Sequence, residues 1–244
     1  MIQHIKNHAA NVLTSANLFC GCMALHYVSQ GLFNHVMALV IVAGVFDFFD
    51  GYVARALKST SNIGKDLDSL ADMVTFGVVP AYALYKIMDY NQAMQSSTNY
   101  EAVYDVAPVA FILAVFSAIR LANFNNDARQ ATGFIGVPTP ANCLFIIALA
   151  TLYHNNTSAI APFLHNNYVI TGLVLLTSSW LLWELPLLAL KFKTYDWATN
   201  KYKYILVLLC ALSIATLGIL GVAVAMVIYV VLSIISTLNN NQKI

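Results

Sequence analysis

The chain has 244 residues, of which 59% are hydrophobic and 9% charged, with a mean hydropathy of +0.70. Soluble domains carry about 25% charged residues, so a water-soluble globular fold is excluded. The net charge of +1 offers no basic surface, so no nucleic-acid partner is expected.

Residues 1–12 are too polar to form the apolar region of a cleaved signal peptide. Ile2, Ile5, Ala9 and Leu13 share one helical face, which predicts either a short N-terminal helix lying in the membrane interface or a frayed tail. Apolar runs long enough to cross a bilayer follow. They predict an all-α integral membrane protein, a polytopic bundle of about eight transmembrane helices over 14–31, 33–57, 67–88, 107–124, 138–154, 168–190, 203–219 and 221–238. Gly218 and Gly221 mark the turn inside the oily run 204–238. The chain reads as one membrane domain, with residues 1–190 as the core and 191–244 as a C-terminal two-helix extension. Lys6, Lys58, Lys65, Arg129, Lys191, Lys193, Lys201, Lys203 and Lys243 fall on one side, whereas the loops 31–33 and 155–167 hold no Lys or Arg. By the positive-inside rule both termini and the 47–72 segment face the cytoplasm, in the cell's inner membrane. The polar stretch 89–106 is expected as an exterior loop.

In the first span, Asn11, Thr14 and Asn17 enter the membrane at i, i+3 and i+6. They form either interhelical hydrogen bonds or a polar wall for a ligand. Five of the 11 acidic residues (Asp47, Asp50, Asp66, Asp68, Asp72) fall between 47 and 72. Carboxylates in apolar helices are expensive and mark function. Asp47, Asp50, Gly51, Ala54 and Arg55 share one helical face, and Gly64, Asp68 and Asp72 share another, with a polar turn at 58–62 between them. Two antiparallel helices then bring four carboxylates together, and divalent cations resolve their repulsion. Oxygen-only ligands favour Mg²⁺ or Mn²⁺ over zinc. Asp66 falls off this face and reads as a surface acid. Gly51 and Ala54 leave room for a ligand or a neighbouring helix, and Arg55 pairs with the acids or binds a phosphate. Gly77 and Pro80 bend the third span.

Arg120 lies inside the fourth span. It either snorkels to the headgroups or faces the acids and binds an anionic substrate group. The loop 133–142 is turn-rich. Glu184, beside Pro186, reads as structural. Cys20, Cys22, Cys143 and Cys210 show no metal-ligand spacing and read as small core residues. His26, His35, His154 and His165 lie near the exterior ends of spans and read as interfacial.

The run 47–72 matches D-x2-D-G-x2-A-R-x8-G-x3-D-x3-D at every fixed position: Asp47, Asp50, Gly51, Ala54, Arg55, Gly64, Asp68 and Asp72. It resembles the CDP-alcohol phosphotransferases, integral membrane enzymes that make phospholipid headgroup linkages. N-L-F-C-G (17–21), K-D-L-D-S-L-A-D (65–72), R-L-A-N-F-N (120–125) and G-F-I-G-V-P-T-P-A-N (133–142) are similar to the bacterial-type phosphatidylserine synthases of that family. The resemblance runs from Asn11 to Asn142. It departs at Asn123, where those synthases usually carry an arginine.

This resemblance implies a six-helix core, a homodimer, and transfer of a phosphatidyl group from CDP-diacylglycerol to L-serine with release of CMP. It implies a two-metal site of Mg²⁺ or Mn²⁺ on Asp47, Asp50 and Asp68, with Asp72 at its edge. Asp72 is also the expected general base. The CDP-diacylglycerol contacts implied are Asn11, Thr14, Gly51, Ala54, Arg55 and Gly64. The serine carboxylate falls to Arg120, with Lys65 and Asn125, and the lipid donor's chains stay among the membrane lipids. Glycerol phosphate, inositol phosphate and choline stand as alternative acceptors. A divalent-cation transport path is the alternative from another class, although it wants acids spread through the membrane depth.

Overall fold

The structure is a computed structural model and describes residues 2–57, 62–98, 105–127, 134–156, 159–184, 186–188 and 196–241. The turn residues Lys58 and 59–61 lie outside these, as do Arg129, Gly133, Lys191, Lys193 and Lys243 from the sequence reading.

Helix α1 runs unbroken over Ile2–Ser29, and only its part from Ala10 onward is apolar enough to cross a membrane. The separate interfacial helix expected at the N-terminus is therefore the first turns of α1. No Gly or Pro before Gly21 interrupts it. Helix α2 (Phe33–Ala56) returns alongside α1.

The third rod is composite: α3 (Asn62–Asp72), a π-helical turn (Met73–Val78) and α4 (Val79–Thr98). The Val79 N–H bonds to the Val74 carbonyl, five residues back. Pro80 has no N–H to give, so the ladder is already broken there, and an inserted residue is absorbed as a π turn. Gly77 lies in this turn and Pro80 just after it. Helix α4 continues ten residues past the expected end at 88. Lys86 pairs with Asp89 at 3.6 Å one turn on, and Asn91 is buried, so the first part of the supposed 89–106 loop is helix.

Residues Ala107–Phe111 form a 3₁₀ turn leading into α5 (Ile112–Asn126). Helix α6 (Thr139–Asn155) starts with Pro140 in its first turn. A second 3₁₀ turn, Ala161–His165, leads to α7 (Asn167–Leu182), whose cap residue Asn166 accepts a hydrogen bond from the Tyr168 N–H at 2.9 Å. The apolar pattern predicts this helix over 168–190, but it stops at Leu182 and Trp183 is extended. Pro186 cannot continue the helical ladder.

Instead, β2 (Pro186–Leu187) pairs antiparallel with β1 (Phe134–Ile135), Phe134 opposite Leu187 and Ile135 opposite Pro186. This two-stranded clip departs from an all-α fold. Helices α8 (Trp197–Leu217) and α9 (Ile219–Asn241) close the chain. Gly218, at φ +58°, makes the turn between them, while Gly221 lies within α9.

Among the described residues, six helical rods are long and apolar enough to cross a bilayer, and α7 is apolar but shorter. The protein is a polytopic membrane protein. Its core lies where α1, α2, α4, α5, α6 and α7 meet, around Val36, Phe76, Leu84, Leu113, Ile146 and Ile170. Helix α9 packs on α6, and α8 packs chiefly on α9 and turns Leu208 and Leu212 outward, toward lipid.

Candidate metal centre

Helix α2 presents Asp47 and Asp50 one turn apart, and α3 presents Asp68 and Asp72 likewise. One oxygen each from Asp47, Asp50 and Asp68 lies within 4.8 Å of the other two. The two acidic helices do not meet unaided, because α1 backs both of them. The Thr14 hydroxyl donates to Asp50 Oδ2 at 2.6 Å, and Asn17 Nδ2 donates to Asp72 Oδ1 at 3.1 Å. Thr14 and Asn17 stand one turn apart on α1, so a single helix face fixes one carboxylate on each acidic helix. The Thr75 hydroxyl, from the π turn, donates to the Asn17 carbonyl at 3.2 Å and locks that face in register.

The four carboxylates face one another's charge: Asp47 against Asp50, Asp68 against both, and Asp72 against all three. Asp68 Oδ1 is buried with no hydrogen-bond partner among the described residues. A buried charge without a partner costs several kcal/mol. Arg55 acts on Asp50 but is itself exposed. Crowded hard oxygen donors with an unmatched buried atom fit a divalent cation of the Mg²⁺ or Mn²⁺ type.

Among the other predicted contacts, Asn11 is half-buried one turn before Thr14, and Gly64 one turn before Asp68. Arg55 folds back along α2 over Gly51, where an added Cβ would lie 3.3 Å from Arg55 Nη1. Ala54 is half-buried one turn beyond Asp50.

Arg120 is only 6% exposed, which decides against snorkelling. Its Nη1 lies 3.5 Å from Thr139 Oγ1, its Cζ sits 5.1 Å from the Phe124 ring centroid, and it feels the charge of Asp72. Its Nε and Nη2 are buried without a hydrogen-bond partner among the described residues. Lys65 Nζ donates to the Asn125 carbonyl at 3.0 Å, and Asn125 Nδ2 donates to Ser69 Oγ at 2.6 Å. These two residues therefore tie the ends of α3 and α5 together. Asp66 is exposed, as expected of a surface acid.

Several residues complete the site without having been given a specific partner or role in the sequence. Asn17 shows in the sequence only as one polar residue of the first span. Thr139 and Asn142 lie in the turn-rich motif but carry no assigned role. Asn142 Oδ1 accepts from Trp180 Nε1 at 2.9 Å while its Nδ2 is buried without a partner among the described residues. Thr75 and Trp180 have no local signal, since each is defined by a contact far away in sequence.

The sequence profile of the family described as CDP-alcohol phosphatidyltransferase matches residues 7–189. The chain is also similar to proteins curated as CDP-diacylglycerol–serine O-phosphatidyltransferase. That of Helicobacter pylori is 34% identical over 149 residues, 59% of each chain. That of Bacillus subtilis is 32% identical over 155 residues, 61% of this chain and 78% of the relative. That of Methanocaldococcus jannaschii is 34% identical over 146 residues, 60% of this chain and 62% of the relative. The chain thus spans about three fifths of the length of the Helicobacter and Methanocaldococcus proteins.

Proposed function

The chain belongs to the CDP-alcohol phosphatidyltransferase family, and on that premise we propose that it transfers the phosphatidyl group of CDP-diacylglycerol to L-serine, giving phosphatidylserine and CMP. The observation that carries this reading is the convergence of Asp47, Asp50 and Asp68 within 4.8 Å on membrane helices, with the buried Arg120 in range of the charge of Asp72. The relatives' names supply serine as acceptor. The acids gather at one end of the bundle, which suits a reaction at a membrane surface and not a path through it.

In this reaction the serine hydroxyl oxygen attacks the phosphatidyl phosphorus, the phosphoanhydride bond breaks, and CMP leaves with the bonding electrons. Asp47, Asp50 and Asp68, with Asp72 at the edge, would hold two divalent ions. When bound, those ions neutralise the diphosphate and make its phosphorus more electrophilic. Thr14 holds Asp50 in place, so the ligand geometry exists before substrate arrives. Asn17 holds Asp72 through Oδ1, and Asp72 would take the serine proton. Asn11, Gly51, Ala54 and Gly64 would admit the nucleotide, and Arg55 would bind the diphosphate in fork geometry. Arg120 offers two unmatched N–H groups to the serine carboxylate, helped at the rim by Lys65 and Asn125.

We read all eight rods as spans, counting α3, the π turn and α4 as one. Lys65 and the second-turn lysines of α8, Lys201 and Lys203, then share the cytoplasmic side with the site, the membrane is the cell's inner membrane, and the protein works as a homodimer. The decisive experiment offers the purified protein CDP-diacylglycerol with L-serine, glycerol 3-phosphate, inositol 1-phosphate or choline and measures CMP. Serine-dependent CMP release, matched by phosphatidylserine, is the expected result. Release with another alcohol and none with serine would overturn the acceptor, and no release with any would overturn the reaction.

A further inference from the structure

The family match stops at residue 189, yet the helix pair beyond it is wired to the acceptor side of the site. Ser233 is fully buried in α9, and its Oγ accepts a hydrogen bond from the Leu188 N–H at 3.2 Å. Its own proton goes to the Tyr229 carbonyl at 2.7 Å, the usual partner of a serine inside a membrane helix. The Leu188 contact is therefore an additional one, made across 45 residues.

Leu188 follows β2, and β2 pairs with β1. From β1 the chain enters a strap, Gly136 to Thr139, that is held on its other side by the end of α7. The Val137 N–H donates to the Trp180 carbonyl at 3.2 Å. Gly136 has φ +75°, and a Cβ there would lie 2.5 Å from the Leu181 carbonyl oxygen, so the strap is pressed flat against that helix end. The strap delivers Thr139 to Arg120. On the same face of α9, Ala223 and Met226 are buried in the core, and the Tyr229 phenol lies within the electrostatic field of Arg120.

We propose that α9 is a positioning element for the acceptor: Ser233 fixes the strand after α7, that strand fixes the strap, and the strap sets Thr139 and Arg120 for the incoming alcohol. The proposal rests on Arg120 as the acceptor-binding group. It makes the C-terminal extension part of the catalytic architecture, in addition to any role in lipid contact. The donor and metal side hangs on α1, α2 and α3 and is independent of this chain of contacts.

The test uses the full chain in detergent. Ser233→Ala should raise the KM for the acceptor by about five- to tenfold, because the Leu188 N–H loses its partner. The KM for CDP-diacylglycerol and the affinity for Mn²⁺ should stay unchanged, and Ser233→Thr, which keeps the hydroxyl, should restore the wild-type KM. An unchanged acceptor KM, an equal loss toward the lipid donor, or failure of threonine to rescue would each overturn the proposal. Should the alanine variant not fold, the near-isosteric Ser233→Cys, whose sulfur is a weaker acceptor for the Leu188 N–H, takes its place. An acceptor KM raised two- to threefold supports the proposal, and an unchanged one overturns it. A wild-type protein that releases no CMP with any acceptor would instead sink the function on which this rests.

Discussion

The two ends of the bundle bury polar side chains in opposite ways. At the end away from the acids, Asn91 Nδ2 donates to the Leu164 carbonyl at 2.9 Å and to Asn167 Oδ1 at 3.0 Å. Tyr153 donates to Asn91 Oδ1 at 2.7 Å, and Asn167 Nδ2 donates to the Met88 carbonyl at 3.0 Å. Every side-chain polar atom of Asn91 and Asn167 is matched. At the acidic end, Asn17 Oδ1, Asp68 Oδ1, Arg120 Nε and Nη2, and Asn142 Nδ2 are buried and unmatched among the described residues. Native proteins satisfy buried polar groups, and exceptions need a reason. A closed network staples helices. An open one, with acids on one side and a guanidinium on the other, is what the proposed reaction needs, cations among the acids and an anionic substrate at the guanidinium.

This contrast is broken most severely by removing divalent ions. Chelation should abolish CMP release, by a factor on the order of 10³ or more, and Mg²⁺ or Mn²⁺ should restore it. Activity that persists in chelator would mean the open acids are not a metal site. Next in size is Asp72→Asn, which should lower kcat by about 10²–10⁴-fold with the KM for CDP-diacylglycerol preserved. Near-normal turnover would remove Asp72 as base. Arg120→Ala should raise the serine KM by about 10–100-fold, and Arg120→Lys should recover little of it, because a point charge does not replace a planar fork. If donor or metal affinity changes instead, Arg120 belongs to the other wall. The smallest effect on activity belongs to the closed end. Asn91→Leu should leave kcat and both KM values unchanged while destabilising the fold by about 1–3 kcal/mol, read as a lower Tm. A catalytic defect there would erase the distinction between the ends.

The acidic wall was legible because its geometry is local. Asp47 with Asp50, and Asp68 with Asp72, are brought together by one helical turn each, and spacing alone reveals this. The role of α1 was half legible: Thr14 stood out, but that Asn17 reaches Asp72, 55 residues away, is a matter of packing. The proposed acceptor wall was least legible. Arg120 showed as a charge in an oily span, whereas its neighbours Thr139, Asn142 and Trp180 converge through a strap, a helix end and a strand clip. The errors in helix length have local causes of their own. Pro186 ends α7 early, the Lys86–Asp89 pair and buried Asn91 carry α4 onward, and the N-terminal turns of α1 lack a breaker.

The central claim is that Asp47, Asp50 and Asp68 form a site for divalent cations, and Mn²⁺ binding followed by electron paramagnetic resonance tests it without reference to turnover. The wild-type protein, with CDP-diacylglycerol present, should bind about two Mn²⁺ per chain, and Asp68→Asn should lose at least one of them. Equal stoichiometry and affinity in the variant, or no tightly bound Mn²⁺ in the wild type, would contradict it.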